Sequence, residues 1–137
     1  MKAAAFSLLS YHFPKAVIDL DVATNPELDI KFSLDGIFFA KEARYELHFD
    51  TRVTDCVTGA AVAEVACVGN YGFEPGTTHE AIPRYFYLNA LAILFPYVRA
   101  FISTLTLQAN VQPTILLPTL NLESMNEELE ANTKVVD

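Results

Sequence analysis

The feature that most constrains the fold is a change of hydrophobic periodicity just past the middle of the chain. Over residues 44–54, Tyr45, Leu47 and Phe49 alternate with polar or charged neighbours. Such alternation predicts a strand with one buried face. Over residues 84–108 the alternation is lost and long apolar runs predict a helix. Strands followed by helices indicate an α+β fold with an antiparallel sheet.

Three further segments are predicted to complete the sheet. Residues 28–34 alternate apolar and polar side chains, and Gly36 is expected to end that strand. Residues 61–73 are apolar on nearly both faces, which predicts a strand that is covered on both sides. The N-terminal strand is interrupted by Pro14. A proline there predicts an edge position or a bulge.

The predicted helices have recognisable boundaries. Pro83 fits the first turn of the long helix, and Pro96 in its interior should kink or divide it. Asn121 is predicted to cap a short helix over residues 122–131. We expect one domain over residues 1–137, structured from about residue 6 to residue 129, because 137 residues fit a single core. The acidic residues 130–137 are expected to fray.

Charge and composition exclude several classes of protein. The net charge is −8 and the nine Lys and Arg residues are scattered, which disfavours nucleic acid and anionic membrane surfaces as partners. The longest strictly apolar run, Ala90–Val98, is too short to span a membrane, so no membrane insertion is expected. Cys56 and Cys67 make no disulfide framework and are expected to be reduced. Together with an N-terminus that resembles a signal peptide poorly, this predicts a cytoplasmic protein.

The chain carries no recognisable catalytic motif. It lacks nucleotide-binding, hydrolase and metalloprotease motifs, and its three histidines are far apart in the sequence. We therefore predict no catalytic residue, no metal site and no cofactor, and we expect that the protein is not an enzyme.

The apolar content is high for a small domain. Apolar and aromatic residues make up 52% of the chain, more than a lone core of this size easily hides. Adjacent Tyr85, Phe86 and Tyr87 cannot all face one way on a helix. The sequence therefore predicts an oligomer, with Tyr85, Tyr87, Tyr97 and Phe101 at the subunit interface.

Several motifs occur in the order found in one known family. Residues 94–103 read LFPYVRAFIS, and QPTILLPTLNLESM follows downstream. Upstream lie KAVIDL, YELHFDTRVTD and VAEV, the last followed by Gly69, Tyr71 and Phe73. In combination these segments resemble the SecB family of export chaperones, over residues 6–129.

The resemblance implies a four-stranded antiparallel sheet followed by a long kinked helix and a short C-terminal helix. It also implies a homotetramer, a dimer of dimers, that binds unfolded clients in apolar grooves without ATP and passes them to the SecA motor for export. Some relatives instead serve toxin–antitoxin pairs, and this role stays open. A structural or small-ligand-binding module that reuses the fold is a further alternative.

The resemblance also suggests where partners bind. Motor docking is expected at Val62, Glu64 and Asp19, although Ala16 stands where export members carry an acid. The client groove is placed on apolar residues of the second and fourth strands, the proline-bounded loop and the last helix, with the alternative that these residues form a second small core. They are Leu28, Ile30, Phe32, Leu34, Tyr71, Phe73, Ile115, Leu116, Leu117, Leu120, Met125 and Leu129.

Overall fold

A computed structural model of the chain describes residues 5–19, 27–109, 115–118 and 121–137. The strands are β1 (Phe6–Ile18), β2 (Leu28–Phe39), β3 (Arg44–Asp55), β4 (Ala61–Phe73) and β5 (Thr133–Val136). The helices are α1 (Tyr85–Gln108) and α2 (Leu122–Ala131), and a single 3-10 turn, His79–Ala81, leads into α1. The α+β class and the bounds of α2 are as predicted.

The strands form one sheet in the order β1-β4-β3-β2-β5. The first four pair antiparallel, whereas β5 pairs parallel with β2 along Gly36–Phe39. The sheet is therefore five-stranded and mixed, and the expected four-stranded antiparallel sheet is wrong in strand number and in kind. The fifth strand comes from the acidic segment expected to fray, and the Ala40 N–H donates to the Val136 carbonyl at 2.8 Å.

Gly36 does not end its strand, contrary to the sequence prediction. β2 runs through it to Phe39, and a Cβ at this position would overlap the hydroxyl of Tyr45. That hydroxyl shares a hydrogen bond of 2.7 Å with Thr133 Oγ1. The glycine thus permits the close approach of a buried tyrosine, a common reason for glycine inside a strand.

The Pro14 prediction is confirmed, because β1 is an edge strand with an irregular ladder. Its register against β4 shifts between Leu8 and Ser10 and again between His12 and Lys15. The second shift contains the proline. Both irregularities disturb the row of hydrogen-bonding groups that an edge strand presents to other chains.

One face of α1 packs against the sheet and forms the core. The buried helix residues include Phe86, Leu94 and Ile102, and they lie opposite buried strand residues such as Tyr45 and Phe49. α1 continues as one helix through Pro96, so the predicted division does not occur, and the kink stays a prediction. Among the described residues, α1 is long and apolar enough to cross a membrane. Its buried stripe faces the sheet, however, which is typical of a core helix.

Candidate functional site

The two faces of the sheet differ in chemistry. Even-numbered residues of β2 and odd-numbered residues of β3 point towards α1 and are mostly apolar, because the two strands pair in register without a shift. The opposite face of β3 carries Arg44, Glu46, His48, Asp50 and Arg52 and is polar. Along β2 and β3, the α1 side of the sheet is therefore the side that can bind apolar ligands where it reaches solvent.

The α1 side reaches solvent along the outer half of β2. Leu28, Ile30 and Phe32 are only half-buried, although they pack against the core. Phe32 lies 5.5 Å from Phe49 and 6.3 Å from Phe95, measured between ring centroids. We name Leu28, Ile30, Phe32 and Phe95 the edge strip. Phe95 of α1 is also half-buried and packs against the core beside β2.

The inner half of the β2 edge is covered by α2 and β5. The Leu34 N–H donates to Glu128 Oε2 at 2.9 Å, and the Asn132 side-chain amide donates to the Leu34 carbonyl at 3.0 Å. The Gly36 N–H then donates to the Asn132 carbonyl at 3.3 Å, where β5 begins. Two side chains and one strand thus complete the hydrogen bonding of this edge. Neither side chain was predicted from the sequence, and only the β-branched run at 135–136 could have indicated β5.

The helix that carries Glu128 is fixed at both ends. Asn121 Oδ1 accepts hydrogen bonds from the N–H groups of Glu123 at 3.2 Å and Ser124 at 3.4 Å, which confirms the predicted cap. Leu129 is fully buried, and Met125, one turn earlier, is half-buried against the core. α2 therefore lies on the core by a narrow apolar stripe with its acidic side outward.

The structure divides the predicted groove residues into three groups. Leu34, Tyr71, Phe73, Ile115, Leu117 and Leu129 are buried; Leu28, Ile30, Phe32 and Met125 are half-buried; Leu116 is exposed. Leu120 lies outside the described residues. For the buried group, the alternative of a closed core describes the positions better than an open groove does.

Tyr71 also lies far from Leu28, at the other end of the predicted groove. Tyr71 pairs with Tyr45 at one end of β3, whereas Leu28 pairs with Asp55 at the other end. Ten residues separate these positions, roughly 33 Å at about 3.3 Å per residue. Tyr71 is buried beneath α1, where its hydroxyl donates to the Ala90 carbonyl at 2.6 Å. Burial raises its pKa above the ordinary range.

The described part of the proline-bounded loop, residues 115–118, is anchored at Ile115. The Ile115 N–H donates to Thr106 Oγ1 at 3.1 Å, and Thr106 is itself buried. Leu117 is 1% exposed, whereas its neighbour Leu116 is 66% exposed. Leu117 thus belongs to the core, whereas Leu116, directly before it, is available to a partner.

The predicted motor-docking residues lie near a mixed-charge cleft on the polar face. Glu64 is 3.4 Å from Lys15 Nζ and 3.4 Å from Arg52 Nε, so two cations already neighbour it. The cleft has a volume of about 380 Å³ and is also lined by Lys31 and Asp50. Burial raises the pKa of Asp50 despite the nearby His48 and Lys15. The cleft is therefore suited to charged rather than apolar ligands.

The other two docking residues offer less. Val62 is buried, and its carbonyl accepts a hydrogen bond of 2.8 Å from the N–H of Asp19. The Asp19 side chain is exposed. Of the three residues, Asp19 and Glu64 thus present side chains to a partner, and Val62 contributes only through the sheet.

The residues predicted at a subunit interface are not equivalent. Tyr85 and Tyr97 are 49% and 42% exposed, and Tyr97 stacks on Tyr11 of β1 at 4.4 Å. Phe101 is half-buried and stacks on Phe13 at 4.0 Å. Tyr87 is 4% exposed and packs against Tyr45 and Phe86. Its burial leaves almost no surface for a partner subunit, and the interface assignment of the four residues stays a prediction.

The described residues contain no group of three or more His, Cys, Asp and Glu side chains arranged to hold a metal ion. His48 Nε2 is 2.7 Å from Glu46 Oε1, and the pair lies on the polar face. Burial of Glu46 opposes its ionisation, but hydrogen bonds from Arg44 and His48 lower its pKa overall. This arrangement is an ordinary surface ion-pair cluster.

Comparison with known proteins supports the fold. The structure is similar to a SecB-like chaperone from Mycobacterium tuberculosis, solved in complex with a ChAD peptide from the HigA1 antitoxin. The TM-score is 0.66 at 15% sequence identity, over 85% of this chain and 90% of that chain.

Sequence comparison reaches less far. A 43-residue segment, 31% of this chain, is 51% identical to an uncharacterized protein from Methanocaldococcus jannaschii and spans 27% of that protein. No protein-family model matches the chain. The fold of the chain is therefore SecB-like, of a divergent kind.

Proposed function

We propose that the protein is an ATP-independent chaperone that holds unfolded polypeptides. The observation that carries the proposal is the edge strip: a half-buried row of large apolar side chains at the open edge of a SecB-like sheet. Such a row can bury further area when a client's apolar side chains lie on it. Binding of this kind needs no nucleotide, because the client is released when its own folding or another partner competes for the same side chains.

Two client classes are proposed. Clients destined for export follow from the sequence resemblance, and SecA docking at Glu64, Asp19 and Val62 would belong to that role in the cytoplasm. The pairing of Glu64 with Lys15 and Arg52 reduces the acidic character of that surface. An antitoxin segment is the second class, and its support is the similar chaperone that was solved with an antitoxin peptide.

We also propose that the protein is a homo-oligomer, a dimer of dimers. Exposed apolar residues lie along α1 and on the same side of the adjoining β1: Tyr85, Ile93, Tyr97, Leu107 and Tyr11. A second copy would cover this face without covering the edge strip, which lies at the opposite side of the sheet.

The test is suppression of the aggregation of a chemically denatured protein by an equimolar amount of the oligomer. Ile30→Ser should reduce the suppression, because it removes apolar area from the edge strip. Val57→Ser is the matched control, since Val57 is 71% exposed but lies in the β3–β4 turn. Equal activity of both variants would place the client site elsewhere. Absence of suppression by the unaltered protein would favour a structural or small-ligand-binding module.

A further inference from the structure

The two outer strands of the antiparallel part of the sheet, β1 and β2, differ in the regularity of their outer edges. The free edge of β1 contains Pro14 and two register shifts, features that prevent another strand from adding. β2 is paired with β3 over twelve residues without a shift. Its edge is regular, and the described residues cover only part of it.

The covered part shows which backbone groups face outward. Leu34 and Gly36 direct their N–H groups to Glu128 and Asn132, away from β3. In an antiparallel ladder, residues two apart direct both backbone groups to the same side. The N–H and C=O groups of Leu28, Ile30 and Phe32 therefore also face outward. Within the described residues, no group outside β2 bonds to them.

We propose that a client adds to this open stretch as an extra β-strand, in line with β5 on the same edge of β2, and is recognised by its backbone as well as by its side chains. This inference rests on the proposed holding function and names its mode of recognition. The chain itself supplies the precedent, because β5 is an added strand on the same edge and continues the same row of hydrogen bonds. The open stretch begins where the contacts of Glu128 and Asn132 end.

The side chains of β2 define which client fits. Residues of an added strand alternate between the two faces, as β2 does. Client positions on the α1 side meet Leu28, Ile30 and Phe32 and should be apolar. Client positions on the other side meet Asp29 and Lys31, two exposed side chains of opposite charge, so polar residues without a fixed sign of charge fit there. The predicted client is an extended segment with apolar residues at every second position and polar residues between them.

Peptides with altered backbones test the proposal. The probe is a fluorescently labelled nonapeptide in which Leu or Phe alternates with uncharged polar residues, and its dissociation constant is measured with the full chain. In one set of peptides the backbone nitrogens of alternate residues are methylated, and in a second set those of the intervening residues are methylated. In an added strand, alternate residues direct their N–H groups to β2. One of the two sets is therefore methylated at the nitrogens that face β2. We expect that set to bind at least ten-fold more weakly than the unmethylated peptide and the other set to bind within about three-fold.

Two variants provide the matching test on the protein. Ile30→Pro removes the side chain and the outward N–H, whereas Ile30→Ala removes the side chain and keeps the N–H; neither affects the β2–β3 ladder. We expect Ile30→Pro to bind the peptide at least five-fold more weakly than Ile30→Ala. The urea midpoints of the two variants show whether both fold. If one of them does not fold, the methylated peptides still test the proposal, because they are measured with the unaltered protein.

The possible failures are distinguishable. If the unmethylated peptide binds but both methylated sets bind alike, recognition is by side chains alone and strand addition is wrong, although the holding function stands. If the unmethylated peptide does not bind and aggregation is not suppressed, both proposals are overturned.

Discussion

Adjacent leucines in the proline-bounded loop give a sharp test of where the core ends. Leu117 is 1% exposed and belongs to the apolar core, whereas Leu116 is 66% exposed. Truncating a fully buried leucine removes its transfer free energy and leaves a cavity, which together cost about 2–5 kcal/mol. Truncating an exposed leucine away from other features changes stability by roughly 0.5 kcal/mol or less. We therefore expect Leu117→Ala to destabilise the protein by about 2–5 kcal/mol and Leu116→Ala to have almost no effect.

The assay is urea unfolding at one fixed protein concentration, because the stability of an oligomer depends on concentration. A lower midpoint at unchanged slope reports a loss of stability. In the aggregation assay the order should reverse: Leu116→Ala should hold clients less well, and folded Leu117→Ala should hold them normally. Similar midpoints for the two variants would refute the division of the loop into a core residue and an exposed one.

Four further predictions follow from single contacts. Thr51 Oγ1 is buried without a hydrogen-bond partner among the described residues, so Thr51→Val should raise the free energy of unfolding by about 1 kcal/mol, measured in urea. Gly36→Ala should lower the urea midpoint strongly, because the new methyl group overlaps the Tyr45 hydroxyl; Gly72→Ala, whose methyl group would meet the exposed side chain of Leu9, is the comparison. Cys56 is exposed, whereas burial raises the pKa of Cys67 to about 12, so a thiol reagent should label one cysteine in the native protein and two in urea. Folding lowers the pKa of Glu46, so its carboxylate contributes to the free energy of unfolding above about pH 4.3, and this contribution is lost as the pH falls through the folded pKa. Glu46→Gln should therefore make the urea midpoint less sensitive to acid.

Much of the fold was predictable because local signals and tertiary structure agree. Alternation identified the strands, Pro14 identified an edge strand, and Asn121 marked the start of α2. The errors have local causes. Gly36 is a turn-forming residue by type, but here it makes room for Tyr45, which follows it by nine positions in the sequence. A four-residue strand next to acidic residues gives almost no periodic signal, so β5 was not predictable.

The candidate site was less predictable, since sequence patterns separate apolar from polar residues but not buried from half-buried ones. Leu28 and Leu34 have the same place in the alternation of β2, yet only Leu34 is fully covered. The difference arises from Glu128 and Asn132, which are more than ninety positions away in the sequence. Such contacts depend on how α2 returns to the sheet, and a single sequence carries no record of that path.

The extent of the open edge limits how tightly one subunit can hold a client. Three outward residues offer at most six backbone hydrogen bonds, each with a net value of about 0.5–1.5 kcal/mol. Burial of half-exposed side chains adds to this, but the client must be ordered and immobilised, which costs several kcal/mol. One edge strip should therefore bind weakly and release quickly. A long unfolded client that contacts the strips of several subunits would gain affinity through the high effective concentration of the second and later contacts. A weak single site is therefore sufficient only if the protein is an oligomer. Subunits that are separated by mutation of Tyr97 should still bind the nonapeptide normally. Their capacity to hold a whole unfolded protein should fall sharply.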